Sequence, residues 1–247
     1  MDRTLSVVLA ALVVASVIFL AVISLTAYIG ITYRDTLSST YEFRVSITPD
    51  ATLRNVTLYL PVPVRESGPS AVLEGIGTGK LTGVPGGWNV SLIGTEKFTY
   101  LEVWTREISP LPDARSYELA IDERVRGPID TKNAGSGDLV LAPAAAMRQA
   151  ACTGTDGGTS PDLLCEQYES PVYADFTSPG NAHLRIFISL SGRNTWDVFG
   201  PSSNEYQDGL QVSFSEGAQG WRPGSGMLVT GIGDYGLDPW LQGEGTG

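Results

Sequence analysis

From Leu5 to Ile31 the chain is apolar without a break, a run of 27 residues that carries no charge. Its polar side chains are the small Ser6, Ser16, Ser24 and Thr26. A helix rises about 1.5 Å per residue, so the run exceeds the roughly 20 residues that cross a bilayer. In hydrocarbon the backbone must bond to itself, and a helix does so. Tyr28 and Tyr33 lie at the far end, where amphipathic rings favour the membrane interface. The pattern predicts an uncleaved transmembrane helix over 5–31, with a short head at 1–4. A cleaved signal would have an apolar region of about 7–15 residues and a small-residue cleavage site. The stretch after the run, Tyr28-Ile29-Gly30-Ile31-Thr32-Tyr33, offers no such site. Three other readings stay open: a cleaved signal, a buried helix of a soluble protein, and a pilin-type helix that packs into a filament core.

From residue 40 the period changes to two, as half-buried strands require. Tyr41, Phe43, Val45 and Ile47 alternate with polar neighbours, and so do Val56, Leu58 and Leu60. Pro49-Asp50 supplies the turn between them, and Pro61 and Pro63 end the second strand. Further strands are expected at 98–105, 117–125, 184–190, 195–199, 210–214 and 227–230. Ser191-Gly192-Arg193-Asn194 is read as a hairpin turn. Pro143 to Ala151 is the one stretch outside the apolar run that predicts a short helix. The fold class is therefore mainly β. One N-terminal transmembrane helix precedes an antiparallel β-sandwich over 36–241, with an immunoglobulin-like arrangement as its specific version. A sub-boundary is marked near Gly127–Gly137, and 242–247 is a flexible tail.

Charge narrows the partners. The chain has 16 Lys and Arg, 27 Asp and Glu, and one histidine, for a net charge of −11. Such a balance opposes sequence-independent nucleic-acid binding, which needs clustered cations to displace counterions. An acidic domain is also repelled by anionic lipid and should stand off the membrane. A single histidine removes most familiar metal and acid–base schemes.

Orientation follows from several weaker signals. Arg3 and the amino terminus favour the cytoplasm for residues 1–4, but Arg34 nearly balances them. Cys152 and Cys165 are the two cysteines, 13 positions apart around a Gly- and Thr-rich loop. A disulfide between them would constrain the unfolded chain by about 3 kcal/mol and requires an oxidising compartment. The alternative is two separate buried thiols. Asn55-Val56-Thr57 and Asn89-Val90-Ser91 are N-glycosylation acceptor patterns at Asn55 and Asn89. Together these signals place the β-rich domain outside the cell.

Candidate chemistry is sparse. Gly231-Ile232-Gly233-Asp234-Tyr235-Gly236 has the letters of a dinucleotide fingerprint, but Leu237-Asp238-Pro239 discourages the helix it needs next, and the 11 residues that follow are too few for an acidic residue about 20 positions on. Gly75 to Lys80 fails as a phosphate loop, with Glu74 and Leu81 at its two end positions. No nucleotide is expected. His183 begins a strand and is read as exposed or capping. Asp234 and Asp238, four apart in a Gly-containing loop, are the candidate calcium ligands; solvated loop carboxylates are the plainer reading, and no cofactor is required. Trp104 is assigned to the core. Trp88, Trp221 and Trp240 sit among Gly and Pro, where rings either stack on a ligand or fold back onto the sheet.

The stretch Tyr41-Glu42-Phe43-Arg44-Val45 through Asn55-Val56-Thr57-Leu58-Tyr59-Leu60-Pro61-Val62-Pro63-Val64 resembles the opening of membrane-anchored exported proteins of archaea. The resemblance covers about the first quarter of the chain. It implies a cell-envelope setting and carries over no functional residue.

The functional expectation is a single-pass protein of the cell membrane, cytoplasmic at its N-terminus. It would present an acidic domain that binds another envelope protein or a polysaccharide. The alternatives are a pilus-type filament subunit built on the apolar helix, and a glycosidic envelope hydrolase using two carboxylates.

Overall fold

A computed structural model describes residues 3–65, 70–94, 99–141, 143, 145–152, 163–178, 180–215 and 219–237. The chain divides into two compact units.

The first unit holds residues 1–37, 195–203 and 234–247. Its body is helix α1, Arg3–Thr36, longer at both ends than the apolar run itself. From Val7 onward its large side chains are exposed almost throughout, so the helix presents hydrocarbon on every face. It is long and apolar enough to cross a membrane. The hydroxyls of Ser16 and Thr26 donate back to the carbonyls of Leu12 and Val22, each at 2.9 Å. Both polar side chains are thus satisfied within the helix, which a lipid environment demands. Near its end, Ile29 is buried with Trp196 and Val198, and Tyr33 and Leu237 pack around them.

The second unit, residues 38–194 and 204–233, is the β domain. Its strands are β1 (Ser38–Pro49), β2 (Leu53–Pro61), β3 (Pro63–Val64), β4 (Asn89–Gly94), β5 (Thr99–Ile108), β6 (Tyr117–Val125), β7 (Val140–Leu141), β8 (Arg148–Ala150), β9 (Leu164–Thr177), β10 (His183–Asp197), β11 (Pro201–Ser215) and β12 (Gly220–Gly233). The tip of the β10–β11 hairpin belongs to the first unit. Helix α2 (Ala71–Gly77) follows β3, and a single turn, α3 (Ala134–Gly137), precedes β7.

Ten strands form one sheet: nine follow the order β4-β5-β2-β9-β12-β11-β10-β1-β6 and β8 is added beside β9, while β3 and β7 pair as a separate two-stranded sheet. The mainly β class expected from the sequence is present, and the large antiparallel sheet curls around its own core. Period two does the work. Tyr41, Phe43, Val45 and Ile47 of β1 face inward, as do Leu184, Ile186, Ile188 and Leu190 of β10, and all are essentially buried. Each such burial is worth about 1.5–3 kcal/mol. Helix α2, capped by the Ser70 hydroxyl on the Leu73 N–H, packs against both edge strands, β4 and β6. It buries Val72 and Ile76 and covers edges that would otherwise invite pairing with another chain.

Several expectations change. The helix expected at 143–151 is absent among the described residues, and Arg148–Ala150 pairs with β9 instead. Ser191 to Asn194 is not a turn but part of β10, where Gly192 and Asn194 continue the inward alternation of Leu190. A Cβ on Gly192 would meet the Tyr206 ring at 2.2 Å, so the glycine is there to admit that ring. Trp104 is not core; it points outward and is 36% exposed. The Gly- and Pro-containing stretch at 127–137, marked as a sub-boundary, runs inside the second unit with Ile129, Thr131 and Ala134 buried.

Candidate functional site

The inner face of the sheet is filled, so the outer face is where a ligand can be met. Two features there adjoin along β12. The first is aromatic. Register places Trp221 opposite Tyr173, and Tyr173 opposite Tyr59. The Tyr59 and Tyr173 rings stack at 5.1 Å between centroids. Trp221 lies 5.3 Å from Tyr173, 6.0 Å from Tyr59 and 5.2 Å from Tyr100. Four strands thus contribute one ring each to a single cluster. Tyr100 is buried beneath it, while Trp221 keeps 53% of its surface exposed. Burial pushes the Tyr59 and Tyr100 phenols up from their ordinary range, so both stay neutral.

The second feature is a groove of about 720 Å³, lined among others by Arg185, Phe187, Gln211, Arg222, Pro223 and Ser225. No carboxylate lines it among the described residues, although the chain is strongly acidic. Arg222 donates one hydrogen bond to the Ser213 carbonyl at 3.1 Å. Phe187 is 47% exposed and also lines two neighbouring hollows of about 630 and 500 Å³. Its ring rests over Gly209, where a Cβ would meet ring carbons at 3.5 Å. Pro223 and Trp221 lie two positions apart on β12, so groove and ring cluster share one strand and one face.

Inside the curl is a polar network that the sequence pattern did not announce. Asp208 accepts from the Tyr168 hydroxyl at 2.5 Å and from the Leu141 N–H at 2.8 Å. Burial raises its carboxyl to about 7, against the smaller opposing effect of those two hydrogen bonds. Asp138 accepts from the Tyr41 hydroxyl, from the Asp130 and Leu139 N–H groups, and from Arg65 at 3.1 Å. The Tyr206 hydroxyl donates to the Leu139 carbonyl at 2.6 Å. Burial holds Tyr41, Tyr168 and Tyr206 well above the ordinary phenol range. Asp208 holds the Leu141 N–H, and the Tyr41 and Tyr206 hydroxyls hold Asp138 and the Leu139 carbonyl, so the strands β1 and β11 fasten the 130–141 segment inside the sheet.

The residues singled out from the sequence fall as follows. Cys152 and Cys165 form a disulfide with Cα atoms 5.3 Å apart, tying the end of β8 to the start of β9. Asn55 is exposed on β2 in the left-handed region, at φ 50°, where the register with β9 shifts. Asn89 is exposed at the start of the edge strand β4. Trp88 is half-buried, its ring 5.2 Å from Tyr117, so it folds back onto the sheet. Trp221 stays outward. Trp240 and Asp238 lie outside the described residues. Asp234 is exposed and its carboxylate accepts the Gly236 N–H at 2.8 Å. Among the described residues no group of three His, Cys, Asp or Glu side chains comes together to hold a metal. His183 is exposed, and its N–H donates to Asp50 at 2.6 Å.

The pattern of β12 held the signal for the groove: Trp221-Arg222-Pro223 breaks the apolar alternation with large exposed groups. Compared with protein-family models, with curated proteins and with solved structures, this chain matches none of them.

Proposed function

We propose that this protein is a single-pass, membrane-anchored component of the cell envelope. Its N-terminus is cytoplasmic, and its β domain stands outside and binds a polysaccharide. The observation that carries the binding reading is the Trp221 cluster: an exposed indole on the outer face, backed by Tyr59, Tyr100 and Tyr173. Rings so supported are pre-organised, and flat apolar faces of sugars stack on them at little entropic cost. Arg185 and Arg222 in the adjoining groove suit a polymer that carries carboxylates. The curled sheet serves as a sandwich does, enclosing its core and leaving the outward face for recognition.

The outward location draws support from the Cys152–Cys165 disulfide and from the exposure of Asn55 and Asn89. The exposed apolar helix α1 supports the anchor.

The test uses the full chain in lipid nanodiscs, passed over immobilised polygalacturonate and dextran. Retention on the uronic-acid polymer, weakened by salt and by at least tenfold in Trp221→Ala, is expected; tenfold is about 1.4 kcal/mol. No retention on either polymer, or retention indifferent to Trp221→Ala, would direct attention to a protein partner instead.

A further inference from the structure

Phe199 is the most exposed large apolar side chain outside the helix among the described residues, at 70%. It sits at the tip of the β10–β11 hairpin. A single exposed Phe is ordinary on a soluble protein. What sets this one apart is its level along α1. Its ring lies 6.4 Å from that of Tyr28, itself 51% exposed. Tyr28 falls inside the uncharged run, which ends at Ile31; the first charged residue after it is Arg34. At about 1.5 Å per residue, Tyr28 lies about 9 Å nearer the membrane centre than Arg34.

The tip is held at that level. Trp196 and Val198 are buried against Ile29, and the Trp196 ring lies 5.6 Å from that of Tyr33. The Thr36 hydroxyl accepts the Asp197 N–H at 3.0 Å. The Asp197 carboxylate in turn accepts the Gly200 N–H at 3.2 Å and closes the turn. Gly200 is at φ 128°, a conformation that L side chains rarely adopt, so Phe199 is followed by the residue that lets the chain reverse there.

We propose that this hairpin tip is a second membrane contact, with Phe199 seated at the headgroup–acyl boundary of the bilayer that α1 crosses. The inference rests on the anchor reading above. Tyr33 and Trp196 then form an interfacial aromatic pair, each with an apolar body and a polar edge. The tip works as a lateral foot: held against the end of α1, it limits rotation of the helix about its own axis.

The test is site-directed spin labelling of the full chain in phosphatidylcholine–phosphatidylglycerol vesicles. The two native cysteines are joined, so a label goes to the added thiol. Phe199→Cys is compared with Phe19→Cys in the middle of α1 and Phe187→Cys on the outer face of the sheet. Collision with oxygen against a water-soluble nickel chelate reports depth. The expected order is deep at 19, shallow within the bilayer at 199 and aqueous at 187. The oxygen-to-nickel ratio at 199 should be several-fold above that at 187. A label at 199 as aqueous as that at 187, with 19 deep, overturns the foot and leaves the anchor standing. Aqueous readings at 19 and 199 alike overturn the anchor, and the foot with it.

Discussion

Asn194 holds Ile129 by both of its backbone groups. The side-chain amide donates to the Ile129 carbonyl and accepts from its N–H, each at 2.9 Å. The same side chain donates to Asn204 at 2.9 Å and accepts from Ser39 at 2.8 Å, so its hydrogen-bonding capacity is used in full. A side chain here does what a neighbouring strand would do. It lets a segment that lies outside the strand ladder stay buried inside the sheet, where unpaired backbone groups are costly.

Asn194→Ala should therefore destabilise the fold by about 2–4 kcal/mol, because it orphans the buried polar groups of Ile129. Urea denaturation followed by tryptophan emission would measure it. A loss below about 0.5 kcal/mol would mean that the segment is not fastened this way.

A second fastening predicts a pH dependence. Burial raises the Asp208 carboxyl to about 7, well above its value in the unfolded chain. The folded protein therefore binds the extra proton between about pH 4 and 7, and stability falls as pH rises through that window. Above it the cost is fully present; below it, absent. Asp208→Asn imitates the protonated form and should remove this component. The drop in denaturation midpoint from pH 5 to pH 8 should be smaller in the variant than in the native protein. Equal drops in both would show that Asp208 ionises freely in the fold.

These fastenings explain what the sequence could and could not tell. The apolar run of α1 and the strict alternation of β1, β6 and β10 were legible, because period and burial coincide residue by residue. Strand β9, central to the sheet, was not. Its inward positions include Ser170, and Pro171 stands opposite Pro223 of β12. Both interrupt the apolar signal where long-range pairing prevails over local pattern. Asn194 and Gly192 read as a turn because local propensity ranks Asn and Gly as turn formers. Their real partners, Ile129 and Tyr206, lie 65 and 14 positions away in sequence. The ring cluster was visible only as Trp221, since Tyr59, Tyr100 and Tyr173 meet it through register alone.

The disulfide is a simpler case. It closes a loop of 13 positions between Cys152 and Cys165. By chain entropy that is worth about 3 kcal/mol. For a domain of this size each kcal/mol moves the melting temperature by about 2–4 °C. Reduction should thus lower it by about 6–12 °C in calorimetry of the detergent-solubilised protein. The same shift should appear without reductant in Cys152→Ser. No thiol-dependent shift would mean that the cross-link does not restrict the unfolded chain.

Close approach of rings to glycine gives the last test. A Cβ on Gly226 would fall 2.3 Å from the Tyr168 ring, and one on Gly192 would fall 2.2 Å from that of Tyr206. Neither glycine has a positive φ, so the objection to a methyl group is packing and not backbone strain. Overpacking of this kind costs about 1–3 kcal/mol. At Gly226 it should also push the Tyr168 hydroxyl away from Asp208, adding part of a buried hydrogen bond. Gly226→Ala should therefore exceed that range, whereas Gly30→Ala, with nothing within 4 Å of its Cβ, should be neutral or slightly stabilising in the helix. The discriminating measurement is the double variant Gly226→Ala with Tyr168→Phe. If loss of the hydroxyl contact contributes, the two changes combine to less than their separate costs; strict additivity would assign the whole effect of Gly226→Ala to packing against the ring.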